Sequence, residues 1–491
     1  MFESAELGHS IDKETYDATV PELRRALVEV QHELKAKDEF PVIIVITGIE
    51  GAGKGETVKL MNEWMDPRLV RVEVLSQPTD EELSRPRAWR YWRRFPGKGN
   101  TGVFFGSWYD EILFEKISGE LQGDVSEALS QVHRLERMLS DEGALVLKFW
   151  FHLSRDRMKS RLQKLKDDPE QSWRLTRLDW LQSKFYDHVV AKGEQILQAT
   201  SREYAPWYVI DGYDARYRSL TFGRILLNSL RARLDQDDIS HRAHTAPPIP
   251  SLDGRNLLNS LVLDQEMDRE EYKKQLAHEQ GRLARLIRDE RMANHALVAV
   301  FEGNDAAGKG GSIRRVAGAL DPRQYRIASI GVPTDEELSQ PYLWRFWRSI
   351  PARGGFTMFD RSWYGRVLVE RVEQLCTTSD WLRAYGEIND FEEQLTNAGI
   401  VGVKFWLAID KAPQLERFRE RESKPFKRFK ITSDDWRNRE KWDDYAVAVN
   451  DMVDRTSTSH APWTLVEANN KRFARVKVVR TLADALEKAL K

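Results

Sequence analysis

Ala296-Leu-Val-Ala-Val-Phe301-Glu-Gly303-Asn-Asp305-Ala-Ala-Gly308-Lys309-Gly310-Gly311 is the stretch on which the fold turns. Its first six residues form a short apolar run, which predicts a buried strand. Gly303 to Lys309 then carries the GxxxxGK spacing of a phosphate-binding loop. In such a loop successive backbone N–H groups point at phosphate oxygens. The N-terminus of the next helix favours anions, and the lysine neutralises charge. Glycine serves where a side chain would block the approach of the backbone. Gly303, Ala306, Ala307, Gly308, Gly310 and Gly311 are therefore the candidate phosphate-binding backbone, with Lys309 as the catalytic cation. The Ser or Thr that usually follows the lysine and binds Mg²⁺ is Gly310 here. Asp305 is the candidate replacement, because a bare carboxylate in the loop repels phosphate unless Mg²⁺ bridges the two. The plainer alternative is a turn-forming Asp.

The same text occurs twice. GAGKG (Gly51–Gly55) stands 255 residues before AAGKG (Ala306–Gly310), and PTDEELS at Pro78 returns at Pro333 with the same offset. Ser107-Trp108-Tyr109 returns as Ser362-Trp363-Tyr364. Further on, at an offset of 256, Lys148-Phe149-Trp150 faces Lys404-Phe405-Trp406, and Ala205-Pro206-Trp207 faces Ala461-Pro462-Trp463. Six pairs of tryptophans align this way, 12 of the 16 in the chain. Solenoid repeats run to only ~20–50 residues, so this repeat gives two globular domains. The length of 491 residues agrees, since single cores stop growing near ~250–300. We read 1–235 as a degenerate first domain, the polar, proline-containing 236–253 as a linker, and 254–491 as the catalytic domain. In the second copy, Glu271–Asn294 has helical composition. Ala296–Phe301, Tyr325–Ile330, Phe356–Phe359, Val401–Ile409 and Trp463–Glu467 read as strands with helices between them. Each copy is thus expected to be an α/β unit with a parallel sheet covered on both faces.

Composition narrows the function classes. There are 76 Lys+Arg against 77 Asp+Glu, so a globally basic nucleic-acid coat is excluded while a local basic site is not. Cys376 is the one cysteine, which excludes a disulfide framework and a Cys-based zinc site. The sequence MFESAELGHSIDKETYD has neither the basic nor the apolar region of a secretory leader, and no apolar run approaches ~20 residues. A cytoplasmic protein with no membrane partner is expected.

A second carboxylate ends another apolar run, Phe356-Thr-Met-Phe359-Asp360, followed by Arg361. The C-terminal end of a central strand is where such sheets bind ligands. Asp360 therefore reads as a Walker-B-type metal ligand, and Arg361 as a contact to transferring phosphoryl oxygens. A surface Asp–Arg pair is the plainer alternative. Arg417–Lys430 holds seven bases and two acids, a net +5. It reads as a lid over a polyphosphorylated ligand, in which Arg421 and Lys424 are candidate phosphate contacts. A solvated helix face is the alternative. Nucleic acid is a rival polyanion, but no base-stacking aromatic ladder accompanies the patch. Arg345 adds charge near the substrate or snorkels from a helix whose Trp344 and Trp347 are core.

These residues resemble the polyphosphate kinase 2 family. The matching pieces are GNDAAGKGG, PTDEELS…LWRFW, FDRSWYGRVLVERV, KFWL, DDWRNREKWDDY and APW…ANNKRFAR, which span most of the second copy. The resemblance implies a P-loop kinase fold with a helical lid. It also implies Mg²⁺-dependent phosphoryl transfer between inorganic polyphosphate and a purine nucleotide. Carried over residue by residue, Asp305 and Asp360 hold Mg²⁺, Lys309 and the glycine loop hold phosphates, and Arg361 aids transfer. The fused architecture resembles the subgroup that phosphorylates AMP to ADP. Phosphorylation of nucleoside diphosphates, an ATP-dependent nucleotide kinase and a non-catalytic polyanion scaffold are the rivals, and a homo-oligomer stays open.

The copies are unequal. Asp360 corresponds to Phe105, Arg361 to Gly106, Asp305 to Glu50 and Gly311 to Glu56. Arg161–Arg174, which corresponds to the basic segment, holds four bases and three acids, a net +1. Loss of the strand-end carboxylate removes a metal ligand, so the second copy is expected to be the active one.

Overall fold

The computed structural model describes residues 1–114, 124–170, 172–175, 177–236 and 257–491. Apart from residue 236, the expected linker 236–253 lies outside the described residues. The chain forms two compact units. The first comprises Met1–Pro78, Tyr91–Ile239 and Thr334–Tyr342, and the second Thr79–Arg90, Ser240–Pro333 and Leu343–Lys491.

The second unit is built on five strands: β6 (Ala296–Gly303), β7 (Tyr325–Ser329), β8 (Phe356–Asp360), β9 (Ile400–Ala408) and β10 (Trp463–Glu467). They match the five expected strands within a residue or two. Their order is β10-β9-β6-β8-β7 and every pairing is parallel. The central strand β6 is apolar because the sheet is covered on both faces, where parallel strands must bury both sets of side chains. Leu297, Ala299 and Phe301 join Phe405, Leu407 and the helix Lys471–Ala489 in one core. The first unit repeats this plan with β1 (Val42–Gly48), β2 (Val70–Val74), β3 (Thr101–Phe105), β4 (Leu145–His152) and β5 (Trp207–Asp211) in the order β2-β3-β1-β4-β5. Two parallel α/β sheets with one strand order are the product of the duplication.

Beneath each sheet lies the same buried polar cluster. Lys404 on β9 donates to Glu392 Oε2 (2.7 Å), to the Tyr364 hydroxyl (2.8 Å) and to the Thr456 carbonyl (2.7 Å). Glu392 Oε1 accepts from Trp363 Nε1 (3.0 Å) and from the Tyr364 hydroxyl (2.7 Å). In the first unit Lys148, Glu136, Tyr109, Trp108 and the Thr200 carbonyl make the same five bonds. This explains why the Trp-Tyr of SWY and the Lys of KFW recur: they are partners in one network. Burial pushes both lysines below their ordinary range and Tyr364 above it. The pairs persist because every donor and acceptor is matched. Trp347 and Trp363 pack edge-on against Phe391, at 4.9 Å each, and complete the layer.

Replacing one partner strands the other charge in the core. Lys404→Met is expected to destabilise the second unit by about 3–5 kcal/mol, seen as an earlier transition in chemical denaturation of the full chain. Retention of the wild-type midpoint would show that the cluster carries no such weight.

Candidate functional site

β6 ends in Gly303, whose backbone has φ +148; a Cβ there would fall 2.5 Å from the Leu407 carbonyl oxygen. Only glycine permits this approach. The loop then turns into the helix Lys309–Ala317. Lys309 Nζ donates to the Gly303 carbonyl (2.5 Å), so the lysine lies folded over its own loop. Glu302, Asp305, Lys309 and Arg361 line one pocket together with Asn438, Trp442 and Tyr445. Arg361 comes from the turn after β8 and Glu302 from the end of β6. Asn438 comes from the helix Ser433–Glu440, and Trp442 and Tyr445 from the helix Trp442–Thr456.

Two non-glycine residues of the site have left-handed backbones, Ala306 at φ +60 and Arg361 at φ +66. The first unit has glycine at both matching places, Gly51 at φ +77 and Gly106 at φ +87. Such a conformation costs an ordinary residue roughly 1–2 kcal/mol. In the second unit that strain is retained along with a guanidinium, which reaches Asp305 Oδ1 at 3.5 Å.

The pocket gathers carboxylates. Asp305 Oδ2 accepts from Asn438 Nδ2 at 2.8 Å. Glu302 is buried and accepts from Ser362 Oγ at 2.8 Å. Burial raises its carboxyl above the usual range and the nearby Asp360 adds to this, while Lys309, Ser362 and Arg361 oppose it. Glu302 was not among the residues expected from sequence. Its signal was a single acid at the end of an apolar strand, at a place where the first copy has Thr47. Asn438, whose amide ties the helix Ser433–Glu440 to Asp305, lay within the DDWRNREKWDDY stretch but had no role assigned to it. With this contact made the pocket holds about 80 Å³, less than the ~300 Å³ or more that small ligands fill.

The basic segment divides its charges. Arg417 is buried, and its guanidinium donates to the carbonyls of Ala306 (2.9 Å), Ala307 (3.0 Å), Ala468 (2.8 Å) and Asn469 (2.8 Å). It braces the phosphate loop, with four of its five N–H groups committed to backbone carbonyls. Lys424 and Lys427 both donate to Glu420 Oε1, at 2.6 and 2.8 Å, and hold its carboxyl down at about 2. Arg421 donates to the Lys430 carbonyl at 3.0 Å. Arg345 donates to the Gly331 carbonyl at 3.1 Å and does not line the pocket. Trp344 and Trp347 are core residues, as one of the two alternatives held.

In the first unit the matching loop is closed on itself. Lys54 is buried and donates to the Gly48 carbonyl and to Glu50 Oε1, both at 2.8 Å. Glu56 pairs with Arg161 at 2.9 Å and with Arg218 at 2.7 Å. Arg218 Nη1 also donates to the Gly212 carbonyl, whose counterpart in the second unit, Ala468, is held by Arg417.

No helix among the described residues is long and apolar enough to cross a membrane.

The model of the polyphosphate kinase 2 family matches residues 10–238 and 266–491. The chain is 64% identical over 493 residues to a polyphosphate:AMP phosphotransferase of Pseudomonas aeruginosa, covering 100% of this chain and 99% of that one. It is 62% identical over 491 residues to one of Pseudomonas syringae pv. tomato, with the same coverage. A crystal structure described as polyphosphate kinase 2 from Pseudomonas aeruginosa superposes with a TM-score of 0.89 at 60% identity, covering 100% of this chain and 99% of that one.

Arg361→Gly removes the backbone strain and leaves one weak ion pair unmade. The second unit is expected to hold its unfolding midpoint or gain up to about 1 kcal/mol. A clear loss of stability would mean that Arg361 is a structural residue rather than a strained one.

Proposed function

The chain belongs to the polyphosphate kinase 2 family, and from that premise we propose that its second unit transfers a phosphoryl group from inorganic polyphosphate to AMP, giving ADP. The observation that carries the reading is the match along the whole two-copy chain to relatives of that activity. The geometry of the second unit supports it. Lys309 and the backbone N–H groups of 303–311 bind phosphate oxygens. Arg361 faces the same pocket and spreads the charge that develops on the transferring group. The AMP phosphate attacks the terminal phosphoryl of the chain in line, the P–O bond to the next phosphate breaks, and polyphosphate shorter by one unit leaves; the AMP phosphate is already ionised at neutral pH, so no general base is required. Trp442 and Tyr445 exclude water from the pocket.

Asp305 and Asp360 fit a divalent cation, Mg²⁺. Both are oxygen donors, and Glu302 beside Asp360 is raised by burial in a way that nearby positive charge relieves. No group of three or more His, Cys, Asp or Glu side chains capable of holding a metal occurs among the described residues. Mg²⁺ commonly takes one or two carboxylates and completes its shell with substrate phosphates and water. When bound it neutralises phosphoryl charge. The first unit, with Phe105 and Gly106 at the matching places, is the inactive partner in this reading, and Lys54 is committed to its own Glu50. The whole acts in the cytoplasm, with polyphosphate and nucleotide as its ligands.

The deciding assay supplies AMP with either polyphosphate or ATP to the full-length protein and measures ADP. Net ADP from polyphosphate supports the reading; activity with ATP alone makes it an ordinary nucleotide kinase. In the same assay Asp360→Asn is expected to lose at least roughly 100-fold in rate, whereas Lys54→Ala keeps it. A large loss on Lys54→Ala would assign catalysis to the first unit.

A further inference from the structure

The phosphate loop of the second unit is bordered by guanidinium groups that have no carboxylate. Arg475 lies beside Gly311, where a Cβ would meet its Nη2 at 3.2 Å. Arg315 donates to the Gly311 carbonyl at 3.5 Å and to the Tyr272 hydroxyl at 3.2 Å. Arg314 donates to the Gly310 carbonyl at 3.1 Å. Among the described residues none of these three arginines forms an ion pair. Burial, then the like charges of Arg315 and Arg314, hold Arg475 below its ordinary range. Gathered cations without a counterion are unfavourable, and an anion placed among them is bound the more strongly for it.

The first unit carries an anion at the matching place. Gly311 corresponds to Glu56, whose carboxylate is paired with Arg161 and Arg218. One copy supplies its own negative charge where the other has a glycine and an arginine. Nor is the glycine at 311 demanded by its backbone, which is outside the left-handed region. Its effect is to let the Arg475 guanidinium approach the loop, where a Cβ would crowd it.

We propose that Gly311, Arg315 and Arg475 form an anion subsite that takes a phosphate of the polyphosphate chain beyond the one transferred. The subsite rests on the polyphosphate reading given above. The polyanion then runs from Lys309 along the first turn of the helix Lys309–Ala317 toward the helix Lys471–Ala489. Lys471 continues the track: burial, then Arg417, hold its amine down at about 8, with Arg475 a smaller contributor.

The test uses the full-length protein with polyphosphate and AMP varied in turn. Arg475→Gln removes a cation, and Gly311→Glu installs the carboxylate of the first unit. Each is expected to raise the KM for polyphosphate roughly tenfold, the worth of a charge-assisted hydrogen bond, and to leave the KM for AMP unchanged. A structural defect would move both constants, and Gly311→Glu decides alone if Arg475→Gln fails to fold. An unchanged KM for polyphosphate in Gly311→Glu overturns the subsite. A wild-type protein that makes no ADP from polyphosphate overturns instead the reading on which the subsite rests.

Discussion

The buried pair of Lys404 and Glu392 is the constraint around which the second unit is arranged. A lysine and a glutamate in a sheet-covered core are tolerated only with every hydrogen bond made. That requirement fixes Trp363 and Tyr364, and through them the turn that follows β8. Asp360 and Arg361 stand at the start of the same turn, one strand from the phosphate loop on β6. The turn that carries Asp360 and Arg361 is thus held by a network whose side chains do not line the pocket. The first unit keeps the identical network around Lys148 and Glu136 although it has lost the residues at the strand end. Breaking the network would cost the fold, whereas the first unit folds on the same plan with Phe105 at the end of β3.

The two copies differ in backbone and charge together at the matching loops. Where the second unit holds Arg361 and Ala306 in left-handed conformations, the first has relaxed to glycine. Where the second unit leaves cations around the loop exposed to a ligand, the first has neutralised Lys54, Arg161 and Arg218 with its own Glu50 and Glu56. A loop whose cations are already paired gains little by exchanging an internal carboxylate for an external phosphate.

What the sequence disclosed was whatever depends on neighbours in the chain. The strands, the loop and the duplication are local patterns, and all five strands of the second unit fell within a residue or two of their expected ends. Lys309, Asp305 and Arg361 came together in one pocket because strand ends in a parallel sheet share an edge. The fate of the basic segment was not legible. Arg417 reads as one more positive charge, yet its four carbonyl partners come from two other loops distant in sequence. Lys424 is likewise drawn to Glu420, one helical turn away. Glu302, Asn438 and Arg475 acquire their meaning from tertiary neighbours, which no spacing in the chain encodes.

The central claim is that one chain, although built from two copies of a nucleotide-kinase domain, holds one working site. Calorimetric titration of the full-length protein with AMP counts those sites directly. The account predicts a stoichiometry of one nucleotide per chain. Two equivalent sites per chain would contradict it.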